Sequence, residues 1–497
     1  MVFAHAHEAQ RALHAALSAE CPEFGPQLAK AAYARGLAVT SQDGSTQPIP
    51  IAATPIVVDA QELSRRQSLA AHLASATLKL SSHLLSGAHG GFILEGLSPV
   101  ERQLTLRTFQ ALHTLATTRV DFFACGQALT ALEVNATIPA MQGYSDIAAD
   151  TFLEVLGRRW GASQARIAGW KAHNGSNTKA LYQALLASYQ RLRPGRLPGR
   201  IALLCRRNDA QLTEQRYLCA SFQALGCEAD VVFPDELYGE RRVCANGKRY
   251  DLVYRHLFAR RLEAMEGGAA AFLKGFFAEE NGTRAVLFNP PAAQVEVKAM
   301  FALLSEADAK LTRAAGLNAL ELAAIAQAVP WTRRFHGAPL VKKIAALPDS
   351  YVLKRSWDYG GRTVFIGRMR HEASFAERVH ATYGEAGDWA MLCARAAQDR
   401  AGGGFIVQKF VETAPERHFL CHPNHVSQAE LFVDFSAFAS VGLPAQPAWS
   451  GVCRGGVSSI VNIVGGGGVL PLLVTEVAQS LLATQREWSK KQASKGR

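Results

Sequence analysis

The stretch Arg119–Asp146, RVDFFACGQALTALEVNATIPAMQGYSD, places a few polar side chains inside two apolar, β-type runs. Asp121 lies in the first run, and Glu133 and Asn135 lie two positions apart in the second. Alternate residues of a strand face the same side, so Glu133 and Asn135 project together, and a turn around Gly126 brings Asp121 near them. Carboxylate and amide oxygens are ligands that suit Mg²⁺. We predict a magnesium-holding β-hairpin, because the alternative of a solvated strand face fits such apolar flanks less well.

The length and composition of the chain indicate a globular protein of two to four domains. It has 497 residues, of which 48% are hydrophobic and 19% charged. It contains no apolar run long enough for a transmembrane helix, and its first residues do not resemble a signal peptide. Nine cysteines are scattered singly, which argues against a disulfide framework or a zinc site. We therefore expect a cytoplasmic protein without a membrane partner.

The net charge of +11 results from 53 Lys and Arg against 42 Asp and Glu residues. These basic residues are dispersed, and only the tail WSKKQASKGR forms a cluster. A nucleic-acid surface would need a basic stripe with interleaved aromatic residues, which the sequence lacks. A positively charged cleft for a small anion such as a nucleotide fits the same charge balance. We predict small-molecule partners and no nucleic acid.

The clearest boundary in the chain is the Pro/Gly/Arg-rich segment RLRPGRLPGR at 191–200. The region before it is largely helical in pattern, and one helix begins at a capping box formed by Ser98 and Glu101. Buried-type strands alternate with helices after it, as in a small α/β domain with a parallel sheet. Five later runs then predict successive strands of one antiparallel sheet: FIVQKFVE, ERHFLCH, VSQAELFVDFSAF, WSGVCRGG and SSIVNIV.

The run YVLKRSWDYGGRTVFIG predicts a second functional hairpin. Its first strand ends at Lys354, and Gly360 and Gly361 occupy the loop that follows. Backbone N–H groups of such a loop can enclose phosphates beside a lysine charge. The same loop, Tyr359–Arg362, is our candidate for a mobile lid that excludes water. The alternative is an ordinary surface hairpin turned by glycines.

The run FIVQKFVETAPERHFL predicts where an adenine base would bind. A strand leads into Gln408, and the backbone of Lys409, Phe410 and Val411 would then read the purine edge. Glu416 follows a few residues later, where a carboxylate could hold the ribose hydroxyls. The alternative is a plain amphipathic strand followed by an exposed glutamate.

Together these motifs resemble the ATP-grasp superfamily. The E-V-N hairpin is similar to the metal-binding hairpin of D-alanine–D-alanine ligases, in which it closes the domain. Here it lies far before the nucleotide strand, an order that resembles circularly permuted members such as eukaryotic-type glutathione synthetase and glutathionylspermidine synthase. The resemblance implies an α/β fold with a permuted ATP-grasp core. The implied divisions are a helical region (1–117), hairpin and helices (118–190), a pre-ATP-grasp α/β domain (198–296), nucleotide-binding lobes (297–475) and a C-terminal helix with its tail (476–497).

The resemblance also implies roles for single residues. Lys298, after LFNPP, and Lys354 correspond to the two lysines that bind nucleotide phosphates. Asp358, just before the paired glycines, corresponds to a metal ligand. Arg454, in GVCRGG, resembles the basic residue that faces phosphate and the substrate carboxylate. Arg255, in YDLVYRHLF, resembles a substrate contact of the α/β domain.

The implied activity is that of an ADP-forming carboxylate–amine ligase that uses ATP and Mg²⁺. Its substrates would be a small-molecule carboxylate and an amine, drawn from amino acids, peptides or polyamines, and a homodimer is the base-rate expectation. No segment matches a glutathione-specific motif, so glutathione itself is not implied. Two alternatives stay open: an ATP-grasp kinase that stops after phosphorylation, and a non-catalytic nucleotide-binding module. Gln408 also stands where many relatives have an acidic residue, which leaves its adenine contact open.

Overall fold

The structure is a computed structural model that describes residues 2–87, 90–109, 114–125, 128–238, 243–263, 286–292, 296–358, 360–443, 445–461, 463 and 467–495. Its helices are Val2–Ser18, Cys21–Ala34, Ala60–Ser86, Gly91–Leu94, Pro99–Thr108, Gln142–Arg159, Gln164–Asn174, Asn177–Leu192, Leu212–Ala224, Ala259–Glu263, Ala299–Glu306, Ala309–Ala314, Ala319–Ala328, Ala338–Ala346, Ala373–Tyr383, Trp389–Gln398 and Thr475–Lys495. None of these described helices has the length and apolar character needed to cross a bilayer. The α/β class predicted from the sequence is confirmed.

A seven-stranded sheet forms the centre of the fold. Its strands, in spatial order, are Glu416–Cys421, Ile51–Ala52, Gly468–Leu470, Gly451–Gly456, Val426–Val441, Leu115–Cys125 and Ala128–Asn135. Most neighbours in this sheet are antiparallel. The predicted hairpin is confirmed, with Asp121 directly opposite Glu133. Its turn at Gly126 lies outside the described residues.

Two four-stranded sheets flank the central one. The parallel sheet, in the order Val286–Phe288, Leu252–Arg255, Arg200–Leu204 and Glu228–Val232, matches the predicted α/β domain. The antiparallel sheet has the order Thr332–Arg334, Phe405–Lys409, Tyr351–Arg355 and Val364–Ile366. Smaller pairings join Ala38–Thr40 with Thr46–Pro48, Leu472–Val474 with Ile56–Val58, and Val243–Ala245 with both Leu237–Tyr238 and Lys248–Tyr250.

The prediction of one late antiparallel sheet is wrong in two respects. FIVQKFVE pairs with the strand of Lys354 in the flanking sheet, whereas the next three runs belong to the central sheet. The described residues of SSIVNIV form no strand. Sequence patterns identify strands but not their partners, because pairing depends on contacts between distant segments. The boundaries between the five divisions stay a prediction.

The apolar residues explain why the central strands pack as they do. The strand Val426–Val441 is buried on both faces along its second half, where its sequence is rich in small and apolar residues. The helix Ala60–Ser86 covers this strand, and the guanidinium of Arg66 lies over the ring of Phe435.

The predicted capping box is also confirmed, since Ser98 and Glu101 bond to each other's backbone N–H at the start of Pro99–Thr108.

Asn289 connects the parallel sheet to the hairpin. Its side chain is buried, and its Nδ2 donates to the carbonyl oxygens of Thr117 and Ala136, each at 2.6 Å. Its Oδ1 accepts from the N–H of Ala116 at 3.1 Å. One side chain thus satisfies three backbone groups of a different sheet, which fixes the hairpin against the α/β domain.

We predict that Asn289→Ala lowers the free energy of unfolding by about 3 kcal/mol or more, because three buried backbone groups lose their partner. Chemical denaturation measures this loss. Asn424→Ala, at an exposed hairpin position, serves as the control and is expected to change stability by less than about 0.5 kcal/mol. Equal effects of the two substitutions would contradict the bridging role.

The neighbouring rings of His14 and His418 predict that the stability of the fold decreases in acid. His14 bonds to the carbonyl of Pro55 at 2.9 Å, and its ring lies 5.6 Å from that of His418. Burial, followed by the neighbouring His418, lowers the pKa of His14 despite the bond to Pro55. The folded state therefore binds this proton less readily than the unfolded state, so stability is complete above the ordinary pKa and falls as pH decreases through it. His14→Gln should flatten the pH dependence of the melting temperature between pH 7 and 5, and an unchanged slope would refute this assignment.

Candidate functional site

A cavity of about 550 Å³ lies between the central sheet and the antiparallel flanking sheet. The residues that line it include most of those predicted from the sequence: Asp121, Glu133, Asn135, Lys298, Lys354, Asp358, Gly360, Gly361, Gln408, Lys409, Phe410, Val411 and Arg454. These residues come from distant parts of the chain and meet in one place. Arg255 and Glu416 are not among the lining residues.

Asp121 is held by two arginines. Arg119 donates to both of its carboxylate oxygens, at 2.7 and 3.0 Å, and Nη2 of Arg454 donates at 2.9 Å. Burial alone would raise the pKa of Asp121, but these two cations outweigh it, so the pKa lies well below its usual range. Asn135 also lies within 3.4 Å of this carboxylate. The arrangement favours Asp121 as an anchor for arginines rather than as a direct magnesium ligand.

Glu133 faces the cavity beside Lys298. The lysine Nζ is 3.4 Å from the Glu133 carboxylate and donates to the backbone oxygen of Asp358 at 2.8 Å. Burial would raise the pKa of Glu133, but the charges of Lys298 and Lys354 exceed that effect and lower it. Glu133 is therefore an ionised carboxylate whose partner in this structure is the ammonium group of Lys298.

Asp358 directs its carboxylate into its own loop. One oxygen accepts from Thr363 Oγ1 at 2.7 Å and the other from Arg362 at 3.2 Å. Within the described ranges, no group of three or more His, Cys, Asp or Glu side chains is arranged to hold a metal. Glu133 and Asn135 are the pair that best fits Mg²⁺, which commonly takes only one or two protein carboxylates and completes its shell with phosphates and water.

Lys354 is a buried cation with neutral partners. Its Nζ donates to Oε1 of Gln408 at 2.7 Å and to the carbonyl of Leu132 at 3.4 Å. Gln408 is fixed in turn, since its Nε2 donates to Oγ1 of Thr332 at 3.1 Å. Burial lowers the pKa of Lys354 to about 8, with the nearby Lys298 acting in the same direction. A cation in this position attracts an anionic ligand such as phosphate.

The predicted adenine strand has backbone N–H groups that differ in whether they are already hydrogen-bonded. The N–H of Lys409 donates to the carbonyl of Trp331, and that of Phe410 to the carbonyl of Ser350, both at 2.8 Å. Only the N–H of Val411 has no partner in the part of the chain that the structure describes. Of the three predicted N–H groups, Val411 is therefore the one placed to read a purine edge.

The paired glycines are required by the backbone of their loop. Gly360 and Gly361 have φ angles of +66° and +72°, a region that other residues rarely adopt. A Cβ at Gly361 would lie 2.7 Å from Cγ2 of Ile460. The loop therefore lies close to another wall of the cavity. Tyr359, part of the predicted lid, lies outside the described residues.

Two of the predicted site residues, Arg255 and Glu416, lie outside the cavity lining. Arg255 is almost fully buried and donates to the carbonyl oxygens of Leu257 at 2.8 Å and Asn289 at 3.5 Å. Glu416 is an exposed strand residue, 3.8 Å from Nε2 of His418, and this contact lowers its pKa. The geometry gives no support to Arg255 as a substrate contact or to Glu416 as a ribose ligand, and both roles stay predictions.

Sequence reasoning missed Arg119 and Asp434, which both line the cavity. Asp434 is 1% exposed, and its carboxylate bonds to Arg454. A signal was present, because LFVDFSAF embeds one carboxylate in an apolar strand in the same way as RVDFFAC. Charged residues in such positions are rarely buried without a partner.

Comparisons with known proteins show similarity of structure but not of sequence. No protein-family model matches the chain, and no curated protein matches its sequence. A glutathione synthetase-like effector from Globodera pallida, solved in its apo form, matches with a TM-score of 0.54 over 91% of this chain and 96% of its own, at 12% identity. The chain has a glutathione synthetase-like fold. A Methylobacillus flagellatus protein, provisionally named a gamma-glutamylcysteine synthetase, matches with a TM-score of 0.37 and 11% identity, over 85% of this chain and 97% of its own.

We predict that Lys354→Met separates stability from ligand binding. The substitution removes a desolvated charge but leaves Gln408 without its donor, so we expect the free energy of unfolding to change by no more than about 1 kcal/mol. We expect Mg·ATP to raise the melting temperature of the wild type but not that of Lys354→Met, because the variant lacks the buried cation predicted to bind phosphate. Thermal melts with and without Mg·ATP measure both effects. Lys342→Met, at an exposed lysine away from the cavity, is the control and should keep the full shift in melting temperature. A full shift in Lys354→Met as well would refute the phosphate assignment.

Proposed function

We propose that this protein is an ATP-dependent ligase that joins a carboxylate to an amine and releases ADP and phosphate. The observation that carries the proposal is the convergence of two lysines, Lys298 and Lys354, with the oxygen ligands Glu133 and Asn135 in one cavity. Phosphoryl transfer depends mainly on positioning and charge neutralisation, and these residue types supply both.

Each part of the cavity has a role in the proposed reaction. Mg·ATP would supply the phosphoryl group. Lys298 and Lys354 would offset the charge of the phosphates, while Glu133 and Asn135 would hold the metal ion. Val411 would donate its N–H to the purine, and the loop at Gly360 and Gly361 would exclude water from the phosphates. No protein nucleophile takes part.

The chemistry requires two steps. An oxygen of the substrate carboxylate attacks the γ-phosphorus, the bond to the bridging oxygen breaks, and ADP leaves with that electron pair. The amine nitrogen then attacks the carbonyl carbon of the acylphosphate, loses a proton and expels inorganic phosphate. Arg454, through its guanidinium, stabilises negative charge as these bonds change.

The likeness of fold to a glutathione synthetase-like protein supports a peptide-forming ligase as the class. We propose an amino acid, peptide or polyamine as the amine, in a cytoplasmic and homodimeric enzyme. A kinase that only phosphorylates a small molecule would use the same lysines and metal ligands. The two differ in whether turnover consumes an amine.

The test is release of ADP from Mg·ATP in the presence of carboxylate and amine panels. We expect release that needs a carboxylate and yields an amide only when an amine is added. Glu133→Gln should reduce turnover at least 100-fold, because a metal ligand is lost. Glu385→Gln, at a surface ion pair with Arg395, should have no effect.

Three outcomes would contradict the proposal or change it. Turnover that is insensitive to Glu133→Gln would remove the metal assignment. A stable phosphorylated product without amine consumption would identify a kinase. Tight nucleotide binding without any ADP release across the panels would identify a binding module.

A further inference from the structure

We propose that Asp434 is a positioning residue that orients Arg454 towards the carboxylate substrate of the proposed reaction. This inference rests on the proposed function but concerns a residue outside the phosphate-binding set. The proposed reaction needs both a carboxylate substrate and nucleotide phosphates in the cavity. The inference assigns the carboxylate to Arg454 and the phosphates to the lysines.

The first observation is the fit between Asp434 and Arg454. The two residues are direct partners across neighbouring strands of the central sheet. Oδ1 of Asp434 accepts from the backbone N–H of Arg454 at 3.1 Å and from its Nε at 3.2 Å. Oδ2 accepts from Nε at 3.1 Å and also from Nη2. A carboxylate that grips both the backbone and the side chain of one arginine leaves the guanidinium little freedom to rotate.

The second observation is which nitrogen stays available. Nε and Nη2 of Arg454 are engaged by Asp434, and Nη2 also by Asp121. Nη1 has no partner among the residues that the structure describes, although the side chain lines the cavity and is 14% exposed. Arg119 differs, because its Nη1 donates to the carbonyl of Ala140 and its other two nitrogens to Asp121. Arg454 alone of this pair presents a donor edge to a ligand.

The third observation is the distribution of charge along the cavity. Two arginines, Arg119 and Arg454, face two carboxylates, so this end is neutral. At the other end Lys298 Nζ lies 3.4 Å from Glu133, whereas Lys354 bonds to the neutral oxygens of Gln408 and Leu132 and has no ion-pair partner among the described residues. The polyanionic phosphates are attracted to the lysine end. Arg454 then acts through directed hydrogen bonds, which suits the oxygens of a carboxylate.

A purely structural role explains these contacts less well. A buried ion pair is weak ground for stability, since apolar residues of similar volume are often as stabilising or more so. Burial and the adjacent Asp121 raise the pKa of Asp434, which shows that keeping this second carboxylate ionised is costly. The benefit that offsets this cost is that Asp434 fixes the orientation of the Arg454 guanidinium.

The test compares Asp434→Asn with Glu62→Gln. Glu62 is 5% exposed and binds two arginines, Arg65 and Arg66, at 2.6 and 2.8 Å, but none of the three lines the cavity. Both variants replace a buried, arginine-bound carboxylate by its amide, so both should lower the melting temperature. Only Asp434→Asn should affect substrate binding.

Kinetics use hydroxylamine as the amine and the best carboxylate from a panel of free amino acids and dipeptides, with hydroxamate as the product. Asp434→Asn should raise the KM for the carboxylate at least tenfold and change the KM for ATP less than twofold. Asp434→Glu, which keeps the charge, should recover part of the loss. An equal rise in both KM values, or an effect no larger than that of Glu62→Gln, would overturn the positioning role.

Binding separates this inference from the proposed function. Calorimetry measures the affinity of the same carboxylate panel in the presence of Mg·ADP. The inference is supported if a carboxylate binds to the wild type and at least tenfold more weakly to Asp434→Asn. This holds even when no hydroxamate forms, and in that case only the ligase proposal fails. The inference is wrong if no carboxylate binds to the wild type or if Asp434→Asn binds it equally well.

Discussion

The ion pair between Asp121 and Arg454 is the contact on which the rest of the site depends. It joins the hairpin to a strand that lies 333 residues later, at a distance of 2.9 Å. The strand Val426–Val441 lies between their two strands and brings the partners together in the central sheet. With this register set, Glu133 comes directly opposite Asp121 and faces the flanking sheet that carries Lys354. This cross-sheet contact therefore links side chains from two distant strands that line the same cavity.

Short-range patterns were sufficient to identify many of these parts. The alternation in RVDFFAC and ALEVNAT predicted the hairpin and the common face of Glu133 and Asn135, because strand geometry follows a period of two. The capping box at Ser98 was predictable for the same local reason. What the patterns could not supply was partner choice. The apolar run LFVDFSAF marks Asp434 as an unusual carboxylate, but only the fold shows that its neighbour across the sheet is an arginine.

The expectations to which the geometry gives no support have the same physical origin. Arg255 was assigned through the resemblance of a short segment and Glu416 from its position after the predicted adenine strand. Arg255 is buried among backbone carbonyls, and Glu416 lies at an exposed position of a strand. The first 117 residues looked mainly helical, but the short strand Ile51–Ala52 enters the central sheet between two late strands. A two-residue strand carries almost no sequence signal of its own, so only the packed fold reveals it.

The pairing of Lys298 with Glu133 has a consequence for the order in which ligands load. A divalent cation that arrives alone competes with an ammonium group already 3.4 Å from the carboxylate. In the proposed reaction, nucleotide phosphates would offer Lys298 a new partner and thereby release Glu133 for the metal. Each ligand would then lower the cost of binding the other, and the coupling must be equal in both directions. The lysine would thus make the binding of cation and nucleotide cooperative.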